Sequence, residues 1–412
     1  MKEKFSGYKI AACCFLIAMA VLGMGYVTLS IYVPPLIAEM QASTTAISII
    51  FSVLAATAMV GNFVSGTVSG KIGVRGMVWV GIASLLAGYV VLYFAASVVM
   101  LYVAAALVGI GVSWAGIICI GRFVPNWFVR HQGTMLGIVM AASGIGGMIG
   151  SPIISAMIAQ SGWRTACLYS TVAMAVLTII PALFLKEKPS DVGQKALGAE
   201  DAVAAQGASV TVGPSFAVAK KSAAFFCLLL VWVAIAFLCN GFNSQITNAL
   251  TLKGFDIAFC GTVVAISSAA NTAGNLLLGA INDKFGTKTA FLSIMLCAIA
   301  SMLCMMVCKT QGIAIAFALL FGLSQPMGAT LVTLITGRVF AGQAFGQMLG
   351  INNGIVALMG IFAPLVMSMT LDMTGNYNLA CIILLVVLCV AVFAGFAAFK
   401  AGDKLMKASA EN

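Results

Sequence analysis

This sequence predicts a helical integral membrane protein, on three observations. Hydrophobic residues make up 62% of its 412 positions and charged residues only 8%, where a soluble domain is roughly one quarter charged. The mean hydropathy is +1.11, which means more apolar surface than a water-soluble fold can hide. The apolar runs are about 20 residues or longer, as a membrane-spanning helix requires, whereas barrel strands would be short and alternating.

In chain order, spans are expected near 10–32, 46–68, 77–96, 99–122, 134–159, 165–185, 222–247, 257–281, 289–308, 312–336, 346–371 and 378–399. The N-terminal MKEKFSGYK leads into a stretch too long for a signal-peptide core, so the first span is expected to be retained. The longest polar stretch, 186–221, is rich in Ala, Gly and Ser and divides the spans six and six. The expected organisation is thus an N-terminal half 1–185, a cytoplasmic linker 186–221 and a C-terminal half 222–412. With the N-terminus inside, 17 of the 21 basic residues fall on the cytoplasmic side, so both termini are expected there. The net charge of +10 is accordingly a topology signal, and no nucleic-acid partner is expected. The twelve cysteines lie almost all in apolar runs with no CxxC pair, which fits buried small hydrophobes. No metal and no cofactor is expected.

The halves repeat each other. GTVSGKIGVRG (66–76) after span two matches GAINDKFGTKT (279–289) after span eight. Each has a glycine, a basic residue five positions on, glycine at seven and a basic residue at nine: Gly66, Lys71, Gly73 and Arg75, then Gly279, Lys284, Gly286 and Lys288, with Asp283 before Lys284. GTMLG (133–137) matches GQMLG (346–350), and SGW (161–163) sits where TGN (374–376) sits. Two six-span halves with repeated loops imply a duplicated transporter architecture. The expected fold class is all-α integral membrane, with twelve transmembrane helices in two six-helix pseudo-symmetric halves.

GAINDKFGTK resembles the loop signature of the major facilitator superfamily, and span number, central linker and both repeats extend that resemblance over the whole chain. In the first copy Gly70 stands where the signature has an acid. YVPPLIAEM (32–40), NWFVRHQGTMLGIVMAASGIGG (126–147) and SGWR (161–164) resemble the oxalate–formate antiporter and monocarboxylate transporter group. That group has a charged Asp-x-x-x-Arg pair in span eight, and those two positions fall here on Asn271 and Asn275. Gly137, Gly146 and Gly150 partly match the span-five signature of the drug-exporter branch. The resemblance implies that spans one, four, seven and ten line a central cavity, and that the halves rock to expose it to either side.

The polar residues of those spans are the candidate substrate-binding residues: Tyr26 and Tyr32 in span one, Asn240, Ser244 and Asn248 in span seven, Gln325 in span ten. Asn271 and Asn275, one turn apart in span eight, join them. Asn240, Ser244, Thr247 and Asn248 fall at α-helical spacing on one face, and lipid offers an amide no partner, so that face should turn inward. Two readings stay open for these amides, helix-bridging and substrate contact. Arg122 is the one cation within a span. Either it faces the cavity and holds a carboxylate with its planar fork, or it snorkels to the inner headgroups. Trp127, five residues on, suggests an inner-leaflet depth, because Trp favours the interface. Arg338 follows Gly337 much as Arg122 follows Gly121.

All eleven acids fall in loops, tails or membrane edges, with Glu39, Asp256 and Asp372 as ordinary edge acids, and the single His131 is in a loop. A proton-coupled carrier usually keeps such a group in the membrane, so exchange or facilitated transport is favoured. No cluster suited to catalysis is evident; the chain is expected not to be an enzyme. The reading is a secondary transporter, working as a monomer in a lipid bilayer, expected to be a bacterial inner membrane, whose partner is a small-molecule substrate, best a small organic carboxylate. Drug or metabolite efflux, and a non-transporting sensor or scaffold, are the alternatives.

Overall fold

The structure, a computed structural model, describes residues 6–128, 132–194, 196–197, 216–340 and 344–410. Lys2, Lys4, Arg130, His131, Lys195 and 198–215 of the expected linker lie outside the described residues. Among the described residues there is no strand, only an isolated bridge between Phe128 and Leu197.

Among the described residues, eleven helical runs are long and apolar enough to cross a membrane. One of them, Met135–Phe184, has 50 residues, about 75 Å of helix and twice what a hydrocarbon core requires. Its backbone breaks at Gly162 into spans five and six, which brings the total to twelve. Ser43, Ser97, Ser222 and Thr310 start spans two, four, seven and ten. Each accepts a hydrogen bond from the backbone N–H three residues on, which satisfies a donor the helix cannot.

The repeated loops are shorter than the sequence predicts. Spans two and three form one helical run, Thr44–Tyr93, interrupted only at Gly73, with φ 73° and ψ 162°. Span eight, Ile257–Phe285, meets span nine, Thr287–Met306, at Gly286, with φ 83° and ψ 166°. These two glycines are equivalent in the repeat and take nearly the same backbone conformation, one that a side chain resists. One residue then turns the chain, and its neighbours stay helical.

The last basic residue of each repeat does matching work. Arg75 Nη2 donates to the Leu183 carbonyl at 3.0 Å, tying span three to the end of span six. Lys288 Nζ lies 3.1 Å from Asp403 Oδ2, tying span nine to the end of span twelve, Asn378–Ala410. Lys71, Asp283 and Lys284 are exposed, and Lys284 Nζ lies 5.4 Å from the Phe285 ring centre. Leaving out its own helix backbone, no atom of the described residues lies within 4 Å of a Cβ built on Gly279. Gly66 is within the Thr44–Tyr93 run.

The chain folds as two compact units. One comprises Met1–Ala208 with Phe255–Ser268, the other Ser209–Gly254 with Ala269–Asn412. In the first, spans one and five approach backbone to backbone: a Cβ on Gly146 would collide with the Met19 carbonyl oxygen and lie 2.9 Å from Gly23 Cα. Glu39 is more than an edge acid, because it receives hydrogen bonds from Trp163 Nε1 and Arg164 and so ties the end of span one to the start of span six. In the second unit, Phe242 packs edge-on or tilted against Phe317, Phe321 and Tyr377.

Candidate functional site

Four spans depart from α geometry, and they are one, four, seven and ten. Span one runs α over Gly7–Ala18, π over Met19–Met24, 3-10 over Val27–Tyr32 and α again over Val33–Met40. Span seven repeats that order: α over Ala223–Ala236, π over Phe237–Phe242, 3-10 over Asn243–Gln245, α over Ile246–Thr251. Span four holds a π segment, Val112–Ile118, and span ten a 3-10 segment, Gln325–Gly328, between Gln311–Ser324 and Thr330–Val339. Among the described residues the other spans are α throughout, save the turn glycines. Such mid-helix breaks free backbone groups and often mark functional sites.

Side chains from neighbouring spans hold these breaks. Tyr89 OH in span three donates to the Gly25 carbonyl at 2.8 Å, at the π-to-3-10 junction of span one. Ser113 Oγ donates to Asn62 Oδ1 at 2.8 Å and Trp114 Nε1 to the Gly61 carbonyl at 2.9 Å, which pins the π segment of span four to span two.

That segment sets the phase of the helix after it, Cys119–Trp127. Ile120, Phe123, Val124 and Trp127 are buried, while Gly121, Arg122 and Asn126 are exposed. Trp127 is fully buried and its indole donates to the Lys186 carbonyl at 3.0 Å. It therefore acts as an anchor for the chain leaving span six and not as a lipid-facing interface residue, as the sequence suggests. Burying that side turns Arg122 the other way. Among the described residues Arg122 makes no hydrogen bond or ion pair. Arg338, its counterpart in span ten, lies 2.7 Å from Asp403 Oδ1. The two arginines that look alike in sequence thus differ, one spent on a carboxylate and one with its five donors open.

The remaining candidates divide into buried and accessible groups. Tyr32 is fully buried, with its hydroxyl 3.2 Å from Ser170 Oγ. Tyr26 is half-buried. The π and 3-10 segments of span seven break the α spacing that put Asn240, Ser244, Thr247 and Asn248 on one face. Ser244, Thr247 and Asn248 are buried, Ser244 Oγ donating to the Gly241 carbonyl at 2.7 Å. Asn248 Nδ2 donates to Tyr377 OH at 3.0 Å, and that hydroxyl donates to Gln245 Oε1 at 2.8 Å. Asn240 is half-buried against Gly360 of span eleven. Asn275 is exposed and Asn271, Gln325 and Thr330 are half-buried. Asn275 Nδ2 donates to Asn271 Oδ1 at 3.1 Å, Thr330 Oγ1 donates to Asn275 Oδ1 at 2.7 Å, and Gln325 Nε2 donates to Asn243 Oδ1 at 3.2 Å. The structure thus brings Asn271 and Asn275 together with span ten through Thr330, and withdraws Tyr32, Ser244 and Asn248 into packing. The accessible candidates of the second unit are neutral donors and acceptors, and the first unit holds Arg122, unpaired among the described residues.

Tyr377 and Asp403 were not among the residues the sequence singles out. Tyr377 directly follows the TGN repeat segment, a position that could have flagged it. Asp403 offers no comparable signal, because its partners lie 65 and 115 residues away.

A family model described as Major Facilitator Superfamily matches residues 15–364 and 233–411. The probable sulfoacetate transporter SauU of Cupriavidus necator is 25% identical over 86% of this chain and 85% of that protein. The hexuronate transporter of Bacillus subtilis is 23% identical over 91% and 90%, and mouse monocarboxylate transporter 12 is 24% identical over 78% and 70%. Among solved structures, a bacterial homolog of the human lysosomal transporter Spinster, inward-facing and unoccupied, superposes with a TM-score of 0.73 at 14% identity, covering 98% of this chain and 99% of that one.

Proposed function

The chain belongs to the major facilitator superfamily, and on that premise we propose that it carries a small organic anion, a carboxylate, across the membrane by alternating access. The observation that carries this reading is Arg122: an exposed guanidinium in an apolar span, just past a π break, with no partner among the described residues. A planar fork of donors suits a carboxylate, and no acid among the described residues occupies it. The names of two relatives, transporters of sulfoacetate and of hexuronate, both denote organic anions and support the same class. The absence of acids from mid-span favours exchange or facilitated movement over proton coupling. The distribution of Lys and Arg supports cytoplasmic termini, and an inner membrane and a working monomer complete the proposal.

The test is a melting series on purified protein with acetate, oxalate, sulfoacetate and glucuronate against glucose and glycerol. A ligand selective for the folded state at 100 times its dissociation constant adds about 2.7 kcal/mol. At least one anion is expected to raise the wild-type melting temperature and to leave folded Arg122→Ala unmoved, with Arg122→Lys binding about tenfold more weakly. Equal responses in wild type and Arg122→Ala would make Arg122 a headgroup anchor. A response to neutral solutes alone would overturn the anion class.

A further inference from the structure

We propose that the end of span twelve carries a binding site for the phosphate headgroup of an anionic membrane lipid. The cavity is about 390 Å³ and is lined by Lys288, Phe396, Lys400, Asp403 and Lys404. Its one carboxylate is already taken: Lys288 Nζ lies 3.1 Å from Asp403 Oδ2, and Arg338 Nη2 lies 2.7 Å from Oδ1. That leaves Lys400 and Lys404, one helical turn apart and both exposed, with no ion pair among the described residues. Four cations around one acid leave the pocket strongly positive, and its charge calls for an anion.

The apolar side of the pocket says which anion. Phe396 lines the same cavity and is 40% exposed, and Phe393, three residues nearer the membrane on the same helix, is 77% exposed. The helix Asn378–Ala410 has 33 residues, about 50 Å at 1.5 Å each, so it outruns a hydrocarbon core of about 30 Å. Its aromatic residues therefore sit where acyl chains begin and its lysines where headgroups lie. A free phosphate would use the lysines and leave the phenylalanines bare, whereas a phospholipid uses both. Basic pockets between helices at the bilayer edge bind headgroups in this way, with juxtamembrane cations each adding a fewfold of affinity. The site rests on the second unit alone and does not depend on what the protein transports.

The experiment is native mass spectrometry of the full chain released from detergent with added dioleoyl-phosphatidylglycerol, dioleoyl-phosphatidylcholine or inorganic phosphate. Wild type is expected to retain phosphatidylglycerol in preference to phosphatidylcholine. The double variant Lys400→Gln, Lys404→Gln should retain it about tenfold less, and 0.5 M salt should weaken the wild-type binding. Lys309→Gln, an exposed lysine outside the cavity, should behave as wild type. These substitutions remove exposed side chains that have no ion pair among the described residues, and the melting temperature of each variant reports that it is folded. Equal retention of the two lipids, or no difference between wild type and the double variant, overturns the site. Displacement of the lipid by millimolar inorganic phosphate overturns the lipid as its occupant.

Discussion

Gly146→Val is expected to lower the melting temperature by about 10 °C or to prevent folding. A Cβ at Gly146 meets the Met19 carbonyl oxygen and Gly23 Cα, and one at Gly23 would lie 2.8 Å from the Ser143 carbonyl oxygen. The obstacles are backbone atoms of two helices, which cannot rotate aside as a side chain can. Overpacking typically costs about 1–3 kcal/mol, and a clash with rigid backbone belongs at or above the top of that range. Gly23 and Gly146 both lie in the first compact unit, Met1–Ala208 with Phe255–Ser268, and at roughly 2–4 °C per kcal/mol for a unit of that size the shift is large enough to read by loss of the monodisperse peak on heating. Gly137→Ala is the control. Leaving out its own helix backbone, no atom of the described residues lies within 4 Å of its Cβ position, so the alanine should be neutral or add about 0.5–1 kcal/mol through helix propensity. A Gly146→Val protein that melts with wild type would show that spans one and five do not pack as described.

Tyr377→Phe is expected to destabilise the second unit by about 1–3 kcal/mol. Its hydroxyl accepts from Asn248 and donates to Gln245, and all three residues are buried. Removing it deprives a buried amide donor and a buried amide acceptor of that partner at once. Hydrogen bonds between membrane helices average nearer 0.6 kcal/mol, because the unfolded helices also find partners, so the lower half of the range is expected if span seven relaxes. A double-mutant cycle separates these cases. Tyr377→Phe and Asn248→Ala should couple by about 0.5–2 kcal/mol, whereas strict additivity would mean that the two side chains do not meet. In the duplicated architecture the link has a counterpart: Glu39 joins spans one and six in the first unit, and Tyr377 joins spans seven and twelve in the second.

Hydrophobic run length made the twelve spans legible, and the repeat was legible because Gly73 and Gly286 answer a backbone demand that leaves a residue-type mark. The breaks in spans one, four, seven and ten left no such mark. A π segment such as Val112–Ile118 is made of ordinary apolar residues, and what holds it is Asn62 and Gly61, about 50 residues away in span two. For the same reason the polar face drawn through Asn240 and Asn248 did not survive, because a shift in helical phase between them is invisible to a fixed period. Trp127 illustrates a different limit. Its residue type favours an interface, but the Lys186 carbonyl gives its indole a partner inside the protein. Arg122 and Arg338 each follow a glycine in a like place, and only the fold reveals that Asp403 reaches one of them.

The single-residue turns at Gly73, Gly162 and Gly286 bear on how this chain can change in length. One added residue in an α-helix rotates everything beyond it by about 100° and advances it by about 1.5 Å. A longer loop would absorb that error, but a turn of one residue passes it undiminished to the next span. An insertion there would swing Arg75 away from the Leu183 carbonyl, or Lys288 away from Asp403. Tags, reporter cysteines and natural insertions are therefore excluded from these three joins. At them, helix register is inherited from one span to the next as a unit, and drift in loop length has to occur elsewhere in the chain.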